Sequence, residues 1–432
     1  MSKRNAPDVQ TFGCRLNIWE SEVMRKQAEA AGLNDVVIIN TCAVTSEAEK
    51  QARQAIRKLR RERPDTQIVV TGCAAQIDPD SWADMAETDY VVGNADKLTA
   101  APWQQLAEKS LPPMQLSDIM DRRDIPHHMF DSFDDHTRAF LQIQQGCDHR
   151  CTFCIIPFGR GPSRSVPVQT VIESARALIA AGSVEIVLTG VDITSWGDDL
   201  PGRPKLGTLV RQLLDGVPEL ARLRLSSIDP AELDAPLMEC LEKEARLMPH
   251  LHLSIQHGDD IILKRMKRRH LRRDILRFVA EARRRRPDVV FGADFIAGFP
   301  TESDAAHQAS LSLIREAGLT HLHVFGYSAR EGTPAAQMPQ LEKAVIKTRV
   351  AEVRALGDQQ RDAHLKTRSG GVDMMLVERG KTGYLSGFEK AALPPELAVE
   401  AGTLLPVELQ GADQGVMQVV PLISDPENRS LS

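Results

Sequence analysis

The segment AFLQIQQGCDHRCTFC (Ala139–Cys154) joins a strand to a loop of three cysteines. Its first part, Ala139–Gln144, is predicted to be a strand, and the spacing Cys147-x3-Cys151-x2-Cys154 follows directly. Three thiolates on one loop can bind three irons of a [4Fe–4S] cluster. The fourth iron would then lack a protein ligand and could bind a small molecule, which makes such a cluster reactive.

Zinc is the main alternative to iron as the metal that such a cysteine loop could bind. Structural zinc takes four ligands, usually from paired CxxC units. His149 could be the fourth ligand, but it lies inside the loop, where it would strain the geometry. Three cysteines without any ligand role are disfavoured, because this spacing comes directly after a predicted strand.

Strands and helices alternate on the carboxyl-terminal side of this loop. Five further strands are predicted, at Glu185–Leu188, Leu223–Ser226, His250–Ile255, Val289–Ile296 and His321–Phe325. Six such units predict a partial or complete α/β barrel, whose active site would lie at the carboxyl ends of the strands.

The first hundred residues show the same alternation. The predicted strands are Asp8–Gly13, Asp35–Asn40 and Gln67–Thr71, and the predicted helices are Glu20–Ala31 and Glu47–Arg63. This pattern predicts a separate α/β domain, a doubly wound parallel sheet with helices on its faces.

Three cysteines follow the three predicted strands of this amino-terminal domain. Cys14, Cys42 and Cys73 each come just after a strand, at intervals of 28 and 31 residues. The carboxyl ends of parallel strands lie on one edge of a sheet, where open α/β folds place their ligands. One such cysteine would be read as a small buried hydrophobe, but three at equivalent places favour a shared ligand role.

The remaining segments complete a chain of 432 residues. A linker that could contain one short helix is predicted for Ala100–Thr137, and helical patterning from Leu341 to Thr367 ends at Gly370 and Gly371. The strands predicted after that break, which could form a small β-barrel, are Val372–Val377, Thr382–Phe388 and Gly415–Val420. We therefore predict three domains, over residues 1–132, 133–367 and 370–432.

Composition favours a cytoplasmic protein whose basic residues are clustered. The formal net charge is -6, and the sequence has neither a membrane-spanning apolar run nor a signal peptide. Three basic blocks stand out, at Ile56–Arg63, Lys264–Arg273 and Arg283–Arg286. Together they favour a polyanionic partner, although any one of them alone would be read as the solvated face of a helix.

The cysteine loop, with Phe153 before its last cysteine, resembles the cluster-binding motif of the radical S-adenosylmethionine (SAM) superfamily. Four segments are similar to the methylthiotransferases of that superfamily: CTFCIIPFGRGPSRS (Cys151–Ser165), TFGCRLNIWESE (Thr11–Glu22), NTCAVTSEAE (Asn40–Glu49) and TGCAAQ (Thr71–Gln76). These segments cover both α/β domains, so the combined pattern is specific.

The resemblance implies SAM and two [4Fe–4S] clusters as cofactors. The residues that match the ligands of the SAM-binding cluster are Cys147, Cys151 and Cys154. Those that match the ligands of an auxiliary cluster are Cys14, Cys42 and Cys73. Cys240 matches neither set and is predicted to be a core residue.

The resemblance also implies a mechanism. One SAM molecule methylates a sulfur of the auxiliary cluster, and another is cleaved reductively to a 5′-deoxyadenosyl radical. That radical removes a hydrogen from the substrate, and the methylthio group is transferred to the same carbon. Since the cofactors carry this chemistry, no acid–base residue is predicted. The implied partners are tRNA, an electron-donor protein and a sulfur donor.

Segments at three predicted strand ends are expected to hold SAM. They are TGVD (Thr189–Asp192), SIQHGDD (Ser254–Asp260) and GFPTES (Gly298–Ser303). Small residues let the backbone approach a ligand closely, and ordinary βα turns are the alternative. The predicted SAM-binding residues are Gly190, Asp192, Ser254, Gln256 and Gly298, with Arg160 and Arg164 as possible donors to a carboxylate or phosphate.

Three substrates occur in the family that the sequence resembles. They are tRNA adenosine with an N6-threonylcarbamoyl group, tRNA adenosine with an N6-isopentenyl group, and an aspartate of a ribosomal protein. The segments most similar to the threonylcarbamoyladenosine branch are LTGVDITSWGDDL (Leu188–Leu200), RLRLSSIDPAEL (Arg222–Leu233) and LKRMKRRH (Leu263–His270). We therefore predict transfer of a methylthio group to C2 of N6-threonylcarbamoyladenosine, although Trp196, His257 and Gly326 depart from the usual pattern.

The last domain corresponds in position to the small RNA-binding (TRAM) β-barrel of these enzymes. Residues 370–432 contain four Lys and Arg against nine Asp and Glu, whereas phosphate affinity needs the opposite balance. A capping domain without RNA contact is therefore the alternative. Two non-catalytic hypotheses also stand for the whole chain: an iron–sulfur electron carrier or scaffold, and a zinc-stabilised RNA-binding protein.

Overall fold

The computed structural model describes residues 7–126, 137–231 and 234–422. They form an amino-terminal α/β domain, a central α/β barrel and a carboxyl-terminal β-barrel. The predicted boundary between residues 132 and 133 lies outside the described residues, as do Glu232, Leu233 and the segment 423–432. No helix of the described residues combines the length and apolar character needed to cross a bilayer.

The amino-terminal domain is a sheet of five parallel strands in sequential order. The strands are β1 (Asp8–Thr11), β2 (Val36–Thr41), β3 (Gln67–Gly72), β4 (Tyr90–Val92) and β5 (Met114–Gln115). The helices are α1 (Arg15–Ala30), α2 (Ser46–Glu62), α3 (Cys73–Ile77), α4 (Asp80–Ala83) and α5 (Ala101–Ala107), and a 3-10 turn spans Ile119–Asp121.

Helices cover both faces of this sheet, as the alternating pattern predicts. Successive side chains of a strand point to opposite faces, so β2 supplies Ile38 to one apolar cluster with α1 and Ile39 to another with α2. The short helix predicted in the linker from Ala100 is present as α5, but the first part of that segment is not a linker, because β5 pairs with β4 of this domain. Residues 127–136 of that linker lie outside the described part.

The central domain is an open α/β barrel made of two parallel three-stranded sheets. Its strands are β6 (Arg138–Gln142), β9 (Glu185–Thr189), β10 (Arg222–Leu225), β11 (His250–Gln256), β12 (Val290–Ala297) and β13 (His321–Gly326), and β7 (Gln144–Gln145) pairs with β8 (Arg164–Ser165). Isolated bridges join the two sheets, for example Ile228 to Leu253. The predicted partial barrel and its strands are confirmed.

Eight helices surround or extend this barrel in the described residues. They are α6 (Ile156–Arg160), α7 (Val168–Ala180), α8 (Leu206–Gly216), α9 (Ala235–Lys243), α10 (Asp260–Arg265), α11 (Arg272–Arg285), α12 (Asp304–Ala317) and α13 (Lys343–Arg368), with 3-10 turns at Ile193–Ser195 and Pro334–Gln337. Cys240 lies in α9 and is 3% exposed, as predicted for a core residue. Helix α1 also packs on the barrel, since Leu16 and Trp19 belong to the barrel's apolar cluster.

The carboxyl-terminal domain is a closed β-barrel, as predicted, but it has five strands where the sequence predicts three. Its strands are β14 (Val372–Val377), β15 (Thr382–Tyr384), β16 (Lys390–Ala392), β17 (Leu404–Asp413) and β18 (Val416–Pro421). The loop after β15 closes the amino end of the central barrel: Arg222 and Arg224 donate to the carbonyl of Leu385 at 3.0 and 2.8 Å. The ring of Phe388 stacks on His250 with centroids 4.9 Å apart. We call these five residues the floor of the barrel.

Candidate active site between two sets of cysteines

The three amino-terminal cysteines converge at one edge of the sheet. Cys14 precedes α1, Cys42 follows β2, and Cys73 begins α3. Gly13 has a φ of 113°, and a Cβ added there would lie 2.7 Å from the Cβ of Cys42. Only glycine therefore lets this turn approach Cys42 so closely. Burial and the nearby Cys73 raise the pKa of the Cys42 thiol to about 12.

Arg160 of the central domain reaches into this amino-terminal set. Its Nε donates to Sγ of Cys73 at 3.1 Å, and its Nη atoms donate to Glu20 at 2.7 Å, Asn17 at 2.6 Å and Gln145 at 2.9 Å. The guanidinium is buried, and all three of its nitrogens donate within the protein. Arg160 therefore contacts a carboxylate, that of Glu20. The predicted contact of Arg160 with SAM stays a prediction.

Glu20 connects Arg160 to a second buried cation. Nζ of Lys97 donates to Oε2 of Glu20 at 2.6 Å and to Oδ1 of Asn40 at 3.2 Å. The side chains of Glu20 and Lys97 are fully buried. Burial raises the pKa of Glu20, but the charges of Arg160 and Lys97 outweigh it and lower that pKa to about 2. The carboxylate is thus ionised and holds two domains together.

We expect Glu20→Gln to destabilise the iron-free chain by about 3–5 kcal/mol, because the buried charges of Lys97 and Arg160 would lose their shared carboxylate partner. Urea unfolding followed by tryptophan fluorescence measures this loss. Glu29→Gln is the matched control: it lies on the same helix and removes a surface pair with Arg25 (2.9 Å), so we expect less than about 1 kcal/mol.

The Glu20 carboxylate also predicts a pH dependence. Since its pKa is lowered on folding, its contribution is present above the ordinary value near 4.5 and is lost as the pH falls towards about 2. Glu20→Gln should lack that acid-induced component. Equal losses in Glu20→Gln and Glu29→Gln would contradict this account of the network.

The second set of cysteines lies on the loop between β7 and α6. Cys147, Cys151 and Cys154 are all partly exposed and free of disulfides. Burial raises the pKa of the Cys147 thiol to about 12 and that of Cys154 to about 11. Nη1 of Arg268 lies 3.6 Å from Sγ of Cys151.

Arg268 is held in this position by a buried carboxylate. Its Nη2 donates to Oδ2 of Asp229 and to the carbonyl of Ser254, both at 2.8 Å. Nδ1 of His270 lies 3.0 Å from the other oxygen of Asp229. Burial opposes ionisation, but the hydrogen bond from His270 and the charge of Arg268 hold the pKa of Asp229 below its usual range. The backbone of Ser254, a predicted SAM residue, therefore lies at this set.

The TGVD segment is tied to the same cysteine loop. A Cβ on Gly190 would lie 2.8 Å from the carbonyl oxygen of Gln144, so this glycine permits a close backbone approach. Oδ2 of Asp192 lies 2.9 Å from Nε2 of His149 and accepts a hydrogen bond from Ser195 at 2.7 Å. Despite burial, these two partners lower the pKa of Asp192. His149 thus contacts Asp192, an interaction separate from the zinc role considered for it.

The other predicted rim residues have unusual backbone geometry. Gln256 has a φ of 71°, and Gly298 has a φ of 75°. The backbone N–H groups of Gly298 and Phe299 both donate to Oε2 of Glu302, which fixes the GFPTES turn. Burial raises the pKa of Glu302, but the imidazoles of His257 and His307, 3.7 and 3.3 Å from its Oε1, lower that pKa to about 2.

Arg164 lies behind Arg160. Its Nη2 donates to the carbonyl of Arg160 at 2.7 Å, and its Nη1 to that of Asp124 at 3.3 Å. Burial lowers its pKa to about 10. The structure gives Arg164 backbone partners, and its predicted role as a donor to SAM stays a prediction.

The two sets of cysteines face each other across the domain boundary. Helix α3, which begins at Cys73, packs against α6, which follows Cys154. A Cβ on Gly159 would lie 3.1 Å from the carbonyl oxygen of Cys73, and Asn94 donates to the carbonyl of Gly159 at 2.6 Å. The charge of Cys73 is among those that act on Cys154.

Five charged residues of this site were not predicted from the sequence. They are Glu20, Lys97, Asp229, Arg268 and Glu302. Glu20 and Glu302 lie inside the segments TFGCRLNIWESE and GFPTES. Their positions within these motifs could have identified them as residues of the site. Lys97 lies in no motif, and only its burial in the fold reveals it.

The donor set fits iron–sulfur clusters. Each set supplies three free thiols at the carboxyl ends of parallel strands, and a buried arginine lies against one sulfur of each set. Thiols with raised pKa values release protons when a metal binds, and nearby positive charge stabilises the resulting thiolates. The second set has the ligand number that leaves one iron of a four-iron cluster open.

Sequence and structure comparisons define the class of protein. The model of the "Radical SAM superfamily" matches residues 141–314, and that of "Uncharacterized protein family UPF0004" matches residues 7–93. Among solved structures, the fold is similar to the radical S-adenosylmethionine methyltransferase TsrM from Kitasatospora setae, with a TM-score of 0.52 and 16% identity over 74% of this chain and 66% of that chain. The fold is thus that of a radical SAM enzyme.

Curated relatives define the family within that class. The chain is 47% identical to "Threonylcarbamoyladenosine tRNA methylthiotransferase MtaB" of Rickettsia prowazekii, over 96% of this chain and 97% of the relative. It is 36% identical to the protein of the same name in Bacillus subtilis (81% and 79% covered) and to "tRNA-2-methylthio-N(6)-dimethylallyladenosine synthase" of Cereibacter sphaeroides (84% and 85% covered). The chain belongs to the radical SAM methylthiotransferases, enzymes that use SAM and two [4Fe–4S] clusters.

Proposed function

We propose that this enzyme transfers a methylthio group to C2 of N6-threonylcarbamoyladenosine next to the anticodon of tRNA. The observation that carries this proposal is the placement of two three-cysteine sets face to face at strand ends of two domains. The choice of substrate is supported by the name of the relative that is 47% identical to this chain.

In this proposal the two sets have different cofactors. Cys147, Cys151 and Cys154 bind the cluster that holds SAM, and the auxiliary cluster is bound by the amino-terminal set of Cys14, Cys42 and Cys73. When bound, these groups supply a carbon-centred radical and the sulfur that is inserted. One-electron reduction and renewed sulfur then require an electron-donor protein and a sulfur donor as partners.

The chain's own residues orient and enclose these groups. Asp229 holds Arg268 against Cys151, and Glu302 fixes the backbone of Gly298 at the rim. We propose that Gly190, Asp192, Ser254, Gln256 and Gly298 line the SAM site, because the first three are tied to the cysteine loop or to Arg268.

We propose that tRNA contacts the exposed basic residues of the central domain. The side chain of Arg273 is 82% exposed, and those of Arg277 and Arg284 are exposed by more than half. The carboxyl-terminal barrel is acidic, which disfavours phosphate contact. Since tRNA is the proposed substrate, we propose that the enzyme acts in the cytoplasm.

Mass spectrometry of tRNA nucleosides from cells that lack this protein tests the substrate. We expect the 2-methylthio derivative of N6-threonylcarbamoyladenosine to disappear and its unmethylthiolated precursor to accumulate, with the isopentenyl analogue unchanged. Loss of the isopentenyl analogue instead would contradict the proposed substrate and would assign the activity named for the Cereibacter sphaeroides relative. A plasmid-borne copy of the wild-type chain should restore the lost nucleoside.

A further inference from the structure

Three polar residues line the inside of the barrel just above its floor. Nε2 of His252 and Nδ1 of His323 lie 3.0 and 3.2 Å from the same oxygen of Asp294. The side chain of His323 is 54% exposed, so solvent reaches this depth of the barrel. Both imidazoles contact Oδ1 of Asp294, and the negative charge of this carboxylate also acts on the nearby Arg15.

Arg15 approaches these residues from the amino-terminal domain. Its guanidinium carbon lies 5.6 Å from the ring centroid of Phe388 in the floor. Arg138 and Arg224 surround the same ring at 5.4 and 5.2 Å. Arg15 is thus one of three guanidinium groups gathered around one aromatic ring.

Only one of these three arginines lacks a carboxylate partner among the described residues. Arg138 pairs with Glu378 at 3.0 Å, and Arg224 pairs with Glu185 at 2.9 Å. The guanidinium of Arg15 makes no hydrogen bond or ion pair within the part of the chain that the structure describes, although it is half-buried. The Asp294 carboxylate acts on Arg15 without contacting it, so the N–H donors of this guanidinium are open to an anionic ligand.

We propose that Arg15 binds the carboxylate of the threonylcarbamoyl group, with His323 beside it as a second polar contact. This inference rests on the function proposed above and makes Arg15 a determinant of substrate specificity. A guanidinium matches a carboxylate through two parallel hydrogen bonds. An isopentenyl group carries no charge and would leave Arg15 unpaired, which a buried polar site penalises.

The other anions of the site have different partners. Arg160 donates to Sγ of Cys73, whereas the acidic groups that act most strongly on Arg15 include Asp294 and no cysteine. The predicted SAM residues lie at the carboxyl ends of the strands, whereas Asp294 lies in the middle of β12 and the floor lies at the amino ends. A metal ion held by His252, Asp294 and His323 would add positive charge beside Arg15, so an anion fits this place better.

The test uses the reconstituted holoenzyme and two anticodon stem-loop RNAs. One carries N6-threonylcarbamoyladenosine, and the other carries the same group with its carboxylate converted to a carboxamide. We expect the wild type to favour the carboxylate by about 10- to 100-fold in Kd and in the rate of methylthiolation, as for a hydrogen bond to a charged group. In Arg15→Gln that preference should fall to within about threefold.

Two further variants control this comparison. Arg25→Gln makes the same substitution on the outer face of the same helix and should keep the wild-type preference. Arg15→Lys retains the positive charge and should keep most of the preference for the carboxylate RNA. Iron content, and SAM cleavage without RNA, should match the wild type in every variant, which separates substrate binding from damage at the adjacent Cys14.

The outcomes distinguish this inference from the proposed function. A wild type that methylthiolates neither RNA contradicts the proposed function. A wild type that methylthiolates the first RNA but binds both equally overturns the role of Arg15 while the function stands. This comparison uses the wild type alone, so it tests the inference even if Arg15→Gln loses its iron. An unchanged preference in iron-replete Arg15→Gln overturns it as well.

Discussion

Replacing Cys151 by alanine should abolish the reductive cleavage of SAM. The loop offers three thiols, and Arg268 contacts the sulfur of this one. With two ligands left, we expect 5′-deoxyadenosine formation to fall by more than about 100-fold, since even loss of a partner outside the ligand shell costs about 10- to 100-fold. Chromatography of the products after anaerobic reconstitution and reduction measures this loss.

Cys240→Ala is the matched control for this substitution. Cys240 is buried in α9 and belongs to neither set, so its replacement should cost about 1 kcal/mol of stability and leave iron content and cleavage intact. Cleavage that persists in Cys151→Ala at the level of Cys240→Ala would refute the assignment of the second set.

Replacing Cys42 by alanine should separate the two chemistries. Cys42 belongs to the amino-terminal set, so we expect the chain to keep about four of about eight irons. SAM cleavage at the other set should continue, while the methylthiolated nucleoside should fall below detection. The measurement combines iron analysis, 5′-deoxyadenosine quantification and mass spectrometry of the RNA.

The buried position of Cys42 requires a check on folding. Cys42 is 5% exposed and packs against Gly13, so alanine fits the space that the cysteine leaves. Circular dichroism and the unfolding midpoint should stay close to those of Cys240→Ala. Methylthiolated product from Cys42→Ala would show that the amino-terminal set is not required for sulfur insertion.

Strand positions could be predicted because local patterns determine them. The three amino-terminal strands and the six barrel strands were found from apolar runs, and the convergence of Cys14, Cys42 and Cys73 followed from their places after parallel strands. Strands β4 and β5 were missed because Tyr90–Val92 and Met114–Gln115 are only three and two residues long and have no periodicity to detect. The sequential strand order was also hidden, since alternation alone does not specify neighbours.

The residues around the cysteines were harder to predict because their partners are distant in sequence. Arg160 and Glu20 are separated by 140 positions and lie in different domains. Nothing local distinguishes Arg160 from a solvated arginine or from a ligand contact. The basic block at Arg283–Arg286 illustrates the same limit: Arg283 donates to the carbonyl of Ala317, and Arg286 to that of Leu247. Part of a predicted polyanion surface therefore serves packing.

The closed amino end of the central barrel limits how the chain can be divided. A truncation after α13 would remove Leu385 and Phe388, so Arg222 and Arg224 would lose their carbonyl partner and His250 its stacked ring. A truncated chain would thus differ from the intact chain in the interior of the central barrel as well as at the surface from which the domain is removed. Chimeras that exchange carboxyl-terminal modules between relatives must carry a compatible 385–388 segment to keep the interior sealed.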